Sequence, residues 1–242
     1  MINFLTLKIL GIFDHFYQIR LINFLKKKNL EKFEVLIDVG AHKGESIALF
    51  SKNFKIHQIY SFEANPVTFN VLKKNLPKLQ ERFNKTQISI ENFALGSEKK
   101  KIKIKDMGES SSSTIRDLNQ NSRYFKKKYF FLKKKNQSEF FKEIEIDQIK
   151  LSDFIKSKNI RQIDLMKIDT EGYEFEVLKG SKDILNISKY ILFEHHYHDM
   201  LVKNYFYSDI HKFLLNNNFQ KIYKSKMPFR KAFEYIYVNQ YI

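Results

Sequence analysis

Three carboxylates follow a short apolar segment in the second half of the chain. Residues 163–168 are mostly apolar, which is typical of a strand covered on both faces. Asp169 would stand at the carboxyl end of that strand, with Glu171 on the turn and Glu174 one helical turn further. Because ligands bind outside the carboxyl ends of the strands in an open α/β sheet, this acidic corner is a candidate site.

A glycine turn with an acid in front of it follows an earlier apolar segment. The sequence Asp38-Val-Gly-Ala-His-Lys-Gly44 comes directly after Val35-Leu-Ile37. Glycines let the backbone approach a ligand closely, and a helix that starts here would present unpaired N–H donors. A dinucleotide site would need G-x-G-x-x-G, but His42 stands where the second glycine belongs. An acid before Gly40 also suits an amino-bearing ligand better than a diphosphate.

Polar residues also end the next two predicted strands. Glu63 closes the segment Tyr60-Ser-Phe-Glu63, where a carboxylate can accept both hydroxyls of a ribose. Asn92 and Ala94 end the third strand, where a side-chain amide and nearby backbone groups could meet an adenine edge. Combined with the glycine turn, these positions predict a nucleoside site.

Histidines cluster after a further apolar strand, in Glu194-His-His-Tyr-His198. On an extended segment, His196 and His198 share one face with Glu194, while His195 points away. Three interpretations stay open. The group could ligate a metal, it could form the polar rim of a cleft, or His196 could act as a base or orient a substrate. We favour the last and assign no metal.

The surrounding elements alternate between strand and helix. Predicted strands cover residues 34–38, 57–62, 87–93, 163–168 and 189–194. Predicted helices cover residues 44–53, 66–76 and 171–180. This alternation favours a parallel sheet with helices on both faces. The last strands, near 219–223 and 233–239, predict an antiparallel ending.

Two segments do not follow this alternation. Residues 3–30 predict one or two amphipathic helices, packed on the core or anchored to anionic lipid by their lysines. We therefore divide the chain into a helical extension, 1–33, and a main domain, 34–242. Within the latter, 97–147 is an insertion and a candidate substrate lid. Its segment Lys101–Lys105 alternates like an edge strand, and Phe141–Ile146 could pair with it.

Composition limits the possible classes of protein. The chain has 242 residues and no cysteine, which excludes disulfides and thiolate metal sites. The net charge of +16 suggests a polyanion partner, but only six of the 43 basic residues are Arg, leaving 37 Lys. A Lys-, Asn- and Ile-rich bias is also what an AT-rich genome produces. Without a convincing secretory signal or a bilayer-spanning run, the expected location is cytoplasmic, with membrane association through residues 1–30 as an alternative.

Several motifs together resemble the FkbM family of S-adenosylmethionine-dependent methyltransferases. The similarity covers residues 35–198, and its most specific part is Lys167–Gly180. The motifs, in order, are Asp38-Val-Gly-Ala-His-Lys-Gly44, Phe62-Glu-Ala-Asn-Pro66, Asn92-Phe-Ala-Leu-Gly96, Leu151-Ser-Asp153 and Lys167-Ile-Asp-Thr-Glu-Gly-Tyr-Glu174 with Val177-Leu-Lys-Gly180. The chain departs from the family at Ala64, where many members have proline, and at His42, where many have asparagine.

The resemblance implies an α/β fold of the class I Rossmann-like methyltransferase type: a mostly parallel sheet with an antiparallel C-terminal strand, here with added N-terminal helices. It also implies S-adenosylmethionine as cofactor and O-methylation of sugars or other hydroxylated metabolites. The implied cofactor contacts come from Asp38, Gly40, His42, Gly44, Glu63, Asn92, Ala94 and Asp169. We hypothesise that His196 accepts the acceptor's proton, Glu171 orients the substrate, and Asp169 holds the methionine part of the cofactor.

Two alternatives come from other classes of function. A nucleic-acid methyltransferase could use Arg123–Lys135, in which six lysines and one arginine surround five aromatics. A non-catalytic module could bind lipid or polyanions on a degenerate core, although the acids at 38, 63 and 169 are intact. The expected partner is a small-molecule or glycan acceptor, and a nucleic-acid partner is not expected.

Overall fold

The strands and helices of the protein form where apolar residues recur with the spacing of a strand or of a helix. The computed structural model describes residues 18–28, 30–106, 113–131, 141–227 and 230–242. The strands are β1 (Lys32–Val39), β2 (Lys55–Phe62), β3 (Gln87–Glu91), β4 (Ala94–Leu95), β5 (Lys100–Asp106), β6 (Asp117–Leu118), β7 (Lys142–Ile149), β8 (Ile163–Ile168), β9 (Ser188–His196), β10 (Leu201–Val202), β11 (Phe219–Lys226) and β12 (Ala232–Asn239). The helices are α1 (helical residues 18–27), α2 (Glu45–Asn53), α3 (Pro66–Arg82), α4 (Arg123–Phe131), α5 (Leu151–Ser157), α6 (Glu174–Gly180) and α7 (Tyr207–Leu215), with a 3₁₀ helix at Lys182–Ile187.

Seven strands form the central sheet in the order β11-β12-β9-β8-β1-β2-β3. The pairs from β3 to β9 are parallel, and β12 is antiparallel to both of its neighbours. This arrangement confirms the predicted fold class. It also places the carboxyl ends of β1, β2, β8 and β9 at one edge, which is where the polar residues of the sequence motifs come together.

Several predicted boundaries were wrong; β2, for example, begins at Lys55 rather than at 57, and β9 ends at His196 rather than at 194. β3 ends at Glu91 rather than at 93, and α3 runs to Arg82 with Pro77 inside it. Burial explains the longer helix, since apolar residues on both sides of the proline pack on the core. The helix predicted from 171 begins at Glu174, because Glu171 and Gly172 have positive φ angles of 48° and 95°. Those angles lie in the left-handed region and cannot belong to an α-helix.

Two apolar clusters cover the two faces of the sheet, because successive strand residues point to opposite sides. One cluster includes Ile37, Met166 and Phe193 and is covered by α5, α6 and α7. The other cluster includes the neighbouring strand positions and is covered by α1, α2 and α3. Three side chains of α1 are buried there: Leu21, Ile22 and Leu25. Residues 1–17 lie outside the described residues, so the proposed lipid anchor stays a prediction.

The described parts of the insertion form a second, smaller layer. β5 pairs antiparallel with β7, as the alternating lysines predicted, and β4 adds a third strand to this sheet. β6 pairs with β10, and Phe125 of α4 packs against Met200 and Leu201 beside it. Residues 107–112 and 132–140, the latter including Lys133–Lys135 of the lysine-rich segment, lie outside the described residues. Among the described helices, none combines the length and apolar character needed to cross a bilayer.

Candidate active site

The glycine turn after β1 interlocks with the acidic corner after β8. Gly40 has a φ of 82°, and a Cβ placed on it would lie 1.8 Å from the carbonyl oxygen of Asp169. The Asp169 N–H in turn donates to the Val39 carbonyl at 2.9 Å, and the Gly40 N–H donates to the Phe62 carbonyl at 2.9 Å. Only glycine fits this approach. The two loops that the sequence predicted to share a cleft therefore lie side by side.

A cavity of about 400 Å³ opens where these loops meet. Six of the predicted site residues line it: Gly40, His42, Glu63, Ala94, Asp169 and Glu171. Its lining does not include Asp38, Gly44, Asn92 or His196. The cavity size lies in the range of small-molecule and cofactor pockets. The sequence motifs thus converge on one cavity, and four of the predicted residues lie behind or beside it.

Glu63 is fixed by two backbone donors at the end of β2. Its Oε2 accepts from the His42 N–H at 2.8 Å, and its Oε1 accepts from the Asn65 N–H at 2.9 Å. Burial raises the pKa of Glu63 to about 7, although both backbone hydrogen bonds oppose that shift. A carboxylate offers about four acceptor sites, so two backbone bonds leave capacity for two ligand hydroxyls.

Asp38 and Lys167 form a buried pair beneath the glycine turn. Asp38 is fully buried, its Oδ1 lies 3.1 Å from Lys167 Nζ, and its Oδ2 accepts from Ser46 and Ser61. Lys167 Nζ also donates to the Gly40 carbonyl at 3.1 Å. Burial lowers the pKa of Lys167, but Asp38 and Asp169 outweigh burial and raise it above its ordinary value. Asp38 therefore supports the turn from below, and its predicted cofactor contact stays a prediction.

Gly44 and Asn92 also lie away from the cavity lining. Gly44 has a φ of 100°, and a Cβ there would approach Leu79 and Leu72 of α3, so its small size serves helix packing. The exposed Asn92 side chain donates to the Glu63 carbonyl at 2.8 Å and so braces the loop after β2. Their predicted cofactor contacts stay predictions, and both residues shape the neighbouring backbone.

Carboxylates from three adjacent strands border the other side of the cavity. Asp169 follows β8, while Glu194 and Glu234 are direct cross-strand partners on β9 and β12, and all three line the cavity. Burial raises the pKa of Glu194 to about 7, and Asp169 adds to this shift while His196 opposes it. This acidic row suits a ligand that donates hydrogen bonds or carries positive charge.

His196 lies behind that row rather than in it. Its Nε2 is 3.0 Å from Glu194 Oε1 and 3.4 Å from Glu171 Oε2, and the residue is only 6% exposed. Burial lowers the pKa of His196, but the two carboxylates outweigh burial and raise it to about 9. A protonated imidazole cannot accept a proton, so the geometry favours a cavity-lining carboxylate as base and His196 as its partner.

The three histidines divide as the strand alternation predicted. The His196 and His198 rings are 5.0 Å apart on one face, whereas His195 faces Tyr197, Tyr205 and Tyr207 on the other. The His198 ring stacks on Tyr124 of α4 with centroids 4.2 Å apart. Among the described residues, no group of three or more His, Asp or Glu side chains is arranged to hold a metal ion.

The structure adds residues to the site that sequence reasoning missed. Lys167 had a signal, because it interrupts an apolar strand next to the acidic corner. Arg116, which donates to the Gly172 carbonyl at 2.9 Å, also had one as a rare arginine in a lysine-rich chain. Arg230 has the same signal, whereas no local signal marks other lining residues from distant elements, such as Gln18, Leu21, Met227 and Glu234.

Comparisons with known proteins agree with the geometry. Methyltransferase 1 of Beauveria bassiana (strain ARSEF 2860) is 24% identical over 152 residues, which are 61% of this chain and 58% of that protein. Methyltransferase FkbM from Methylobacillus flagellatus KT has a similar fold, with a TM-score of 0.57 and 16% identity over 85% of this chain and 43% of that chain. The chain thus spans well under two thirds of either relative.

Another similar structure is magnesium protoporphyrin IX methyltransferase (ChlM) from Synechocystis PCC 6803 with bound SAM. Its TM-score is 0.51 at 11% identity, and the match covers 95% of this chain and 81% of that chain. These likenesses show a Rossmann-like methyltransferase fold. A family model described as the Methyltransferase FkbM domain matches residues 38–221, which is most of the chain. The protein therefore belongs to the FkbM methyltransferase family.

Proposed function

We propose that this protein transfers a methyl group from S-adenosylmethionine to a hydroxyl oxygen of a sugar, a glycan or a related metabolite. One observation carries the proposal. The glycine turn and the acidic corner enclose one cavity, with the Gly40 backbone in contact with the Asp169 carbonyl. Family membership supports the reaction class, while the hydroxylated acceptor rests on the family resemblance and on the acidic row.

The residues that line the cavity fit this cofactor. Glu63 would hold the ribose hydroxyls with its remaining acceptor sites. An apolar wall that includes Phe93, Ala94 and Leu95 would cover the adenine ring, and the partly exposed Asp169 would pair with the amino group. When bound, S-adenosylmethionine supplies an electrophilic methyl group on a sulfonium centre.

The chain must orient the acceptor and remove its proton. A hydroxyl becomes a good nucleophile only as its proton leaves, and a positioned base contributes about 10²- to 10⁴-fold. Glu194 lines the cavity and has a pKa of about 7, close to the ideal for a base at neutral pH. We therefore assign Glu194 the role of the base that takes up the acceptor's proton. Glu171 orients the acceptor, and the charged His196 holds both carboxylates in place.

The acidic row also supports an uncharged or cationic acceptor. Asp169, Glu194 and Glu234 would repel a phosphate placed beside them, whereas their oxygens accept hydrogen bonds from sugar hydroxyls. Neutral polyhydroxylated acceptors therefore fit the cavity better than nucleic acid.

A transfer assay tests the proposal. The protein is incubated with methyl-tritiated S-adenosylmethionine and three acceptor panels: neutral oligosaccharides, lipid-linked glycans and RNA. We expect label in a carbohydrate, stable to mild alkali as a methyl ether is and a methyl ester is not. Label in RNA, alkali-labile label, or no binding of S-adenosylmethionine by calorimetry would each overturn it.

A further inference from the structure

Residues 113–116, here called the strap, cross between the two halves of the cavity. Ser113 and Ile115 line the cavity. On one side, the Asn65 side-chain amide donates to Ser113 Oγ at 2.8 Å. On the other side, Thr114 Oγ1 donates to the Glu171 carbonyl at 2.8 Å. The strap therefore joins the loop after β2 to the loop after β8.

The strap is itself firmly attached. Thr114 is buried, and its backbone exchanges hydrogen bonds with Lys105 of β5 at 2.8 and 3.2 Å. Thr114 Oγ1 also accepts from the Arg116 N–H at 3.0 Å, so one hydroxyl ties the strap to itself and to Glu171. Asn65 connects onward, because its own N–H donates to Glu63. An unbroken set of contacts thus runs from Glu63 to Glu171.

Arg116 binds the next residue of the same loop, Gly172. Its Nε donates to the Gly172 carbonyl at 2.9 Å, and its side chain is 13% exposed. The guanidinium lies 4.9 Å from the ring centre of Tyr173 and 5.4 Å from that of Tyr205. This planar, sandwiched donor cannot be replaced by a lysine without loss of the stacking and the fixed direction of the N–H.

The loop that the strap holds is strained. Glu171 has a φ of 48°, which costs a non-glycine residue about 1–2 kcal/mol, and Gly172 follows with a φ of 95°. Such a conformation persists only where surrounding contacts over-determine it. The strap supplies a hydrogen bond to the carbonyl of each residue. This conformation aims the Glu171 carboxylate into the cavity and brings its Oε2 to 3.4 Å from His196 Nε2.

We propose that the strap, through Thr114 and Arg116, is a positioning element that holds Glu171 in its left-handed conformation and so sets the acceptor side of the cavity. The orienting role of Glu171 rests on the proposed function, whereas the placement of its carboxylate beside His196 does not. Thr114 and Arg116 act through Glu171 and are positioning residues.

The pKa of His196 depends on how close the Glu171 carboxylate lies, so the titration of His196 measures the position of that carboxylate. The titratable groups around His196 are Glu171, Glu194, Glu174, the neighbouring histidines and Lys203, whose ammonium group donates to the His196 carbonyl. A carboxylate within hydrogen-bonding reach raises a histidine pKa by about 1–3 units. Nuclear magnetic resonance of the imidazole nitrogens and carbons follows each histidine separately, with His196→Gln used to assign the signal.

The matched pair of variants is Thr114→Val and Thr86→Val. Thr86 is also buried and also donates to a backbone carbonyl, that of Ile56, at 2.8 Å, but it lies away from the cavity. Glu171→Gln removes the negative charge and so measures the full contribution of the Glu171 carboxylate to the His196 pKa. We expect Glu171→Gln to lower the His196 pKa by about one unit or more and Thr114→Val by at least a third of that. Thr86→Val should leave it unchanged.

Arg116→Lys and Arg116→Ala provide a second approach if Thr114→Val does not fold. Both should lower the His196 pKa, the alanine variant more. An unchanged pKa in folded Arg116 variants, or in Glu171→Gln, would overturn the proposal. Binding of S-adenosylhomocysteine is measured by calorimetry on the wild-type protein. Its failure would count against the proposed function alone, because the His196 titration does not depend on it.

Discussion

Glu63 and Asp169 differ in burial, and that difference decides what each can hold. Glu63 is 8% exposed and receives two backbone N–H bonds, so it presents a fixed acceptor to neutral hydroxyls. The Asp169 side chain is 39% exposed at the cavity and lies 3.7 Å from Lys167 Nζ, so it can reach an ammonium group of a ligand. Two carboxylates at one cavity thus acquire different partners from their surroundings.

Glu63→Ala should weaken S-adenosylhomocysteine binding by roughly 10- to 100-fold, because hydrogen bonds to a charged group contribute about 1.5–3 kcal/mol. Glu91→Ala is the matched control, since Glu91 ends the next strand but does not line the cavity.

The pKa of Glu63 is raised to about 7, so Glu63 loses its charge below that pH in the folded protein. The affinity of the wild-type protein for S-adenosylhomocysteine, measured by calorimetry, should therefore fall as the pH drops from 8 to 6, which is about one pH unit on either side of the Glu63 pKa.

The same pH series on Glu194→Gln separates the two acids whose pKa lies near 7. If the decline belongs to Glu63, Glu194→Gln retains it. Loss of the decline in that variant would assign it to Glu194 and contradict the ribose-binding role of Glu63.

Glu194→Gln should lower the turnover number by about 10²- to 10⁴-fold once an acceptor is known, since it removes the proposed base. His196→Gln should act mainly on the pH profile. His196 holds down the pKa of Glu194, so its loss should move the acidic limb of the profile to higher pH. The exposed His57→Gln serves as control. Full activity of Glu194→Gln, together with a large loss of activity in His196→Gln, would show that His196 rather than Glu194 is the base.

At the level of elements, the turn after β1 is the joint on which the cavity depends. Gly40 and Gly44 both have positive φ angles, yet they face different neighbours. A Cβ on Gly40 would meet the Asp169 backbone at 1.8 Å, whereas a Cβ on Gly44 would meet the Leu79 side chain at 2.8 Å. The Asp169 backbone directly after β8 is held by its hydrogen bond to Val39 and cannot move aside, but a leucine side chain can.

Gly40→Ala should therefore destabilise the protein more than Gly44→Ala, although both incur about 1–2 kcal/mol of left-handed strain. Urea unfolding measures the difference, and calorimetry on any folded Gly40→Ala protein should show lost S-adenosylhomocysteine binding. Equal losses of stability would mean that β8 does not press on the turn as the distances indicate.

Across the whole molecule, the charge of +16 overstates the basic surface. Lysines of β5 pair with acids of β7: Lys101 lies 3.0 Å from Glu145, and Lys103 lies 3.0 Å from Glu143. On α4, by contrast, Lys126 and Lys127 are exposed. The cavity lining holds several acids together with Lys167 and Arg230. We propose that such a surface attracts polyanions weakly and does not lead phosphates to the site.

The double change Lys126→Glu, Lys127→Glu should reduce RNA binding, and added salt should abolish the remainder. Lys73→Glu, Lys74→Glu on α3 makes the same change of charge at two exposed residues elsewhere and is the control. Filter binding across a salt series measures both, and methyl transfer to carbohydrate should stay unchanged. Loss of transfer in the α4 variant, together with label in RNA, would favour the nucleic-acid alternative.

Local patterns were enough to predict the sheet and much of the cavity. Apolar runs mark the strands because burial on both faces requires them, and the positions after those runs indicate the binding edge. Gly40, Glu63, Ala94, Asp169 and Glu171 were found in this way. Periodicity alone did not predict that α3 continues past Pro77, since tertiary packing on both sides of the proline outweighs its local preference.

The sequence alone determined where the main strands lie along the chain and which acids follow them, because residue type and spacing express burial and charge directly. Only the tertiary structure decided which of those acids face the cavity, and it moved Asp38 and His196 behind it. It also brought Thr114 and Arg116 onto the Glu171 loop from a segment more than fifty residues away, 57 for Thr114. Contacts across such separations depend on how the chain folds back, and no local pattern records them.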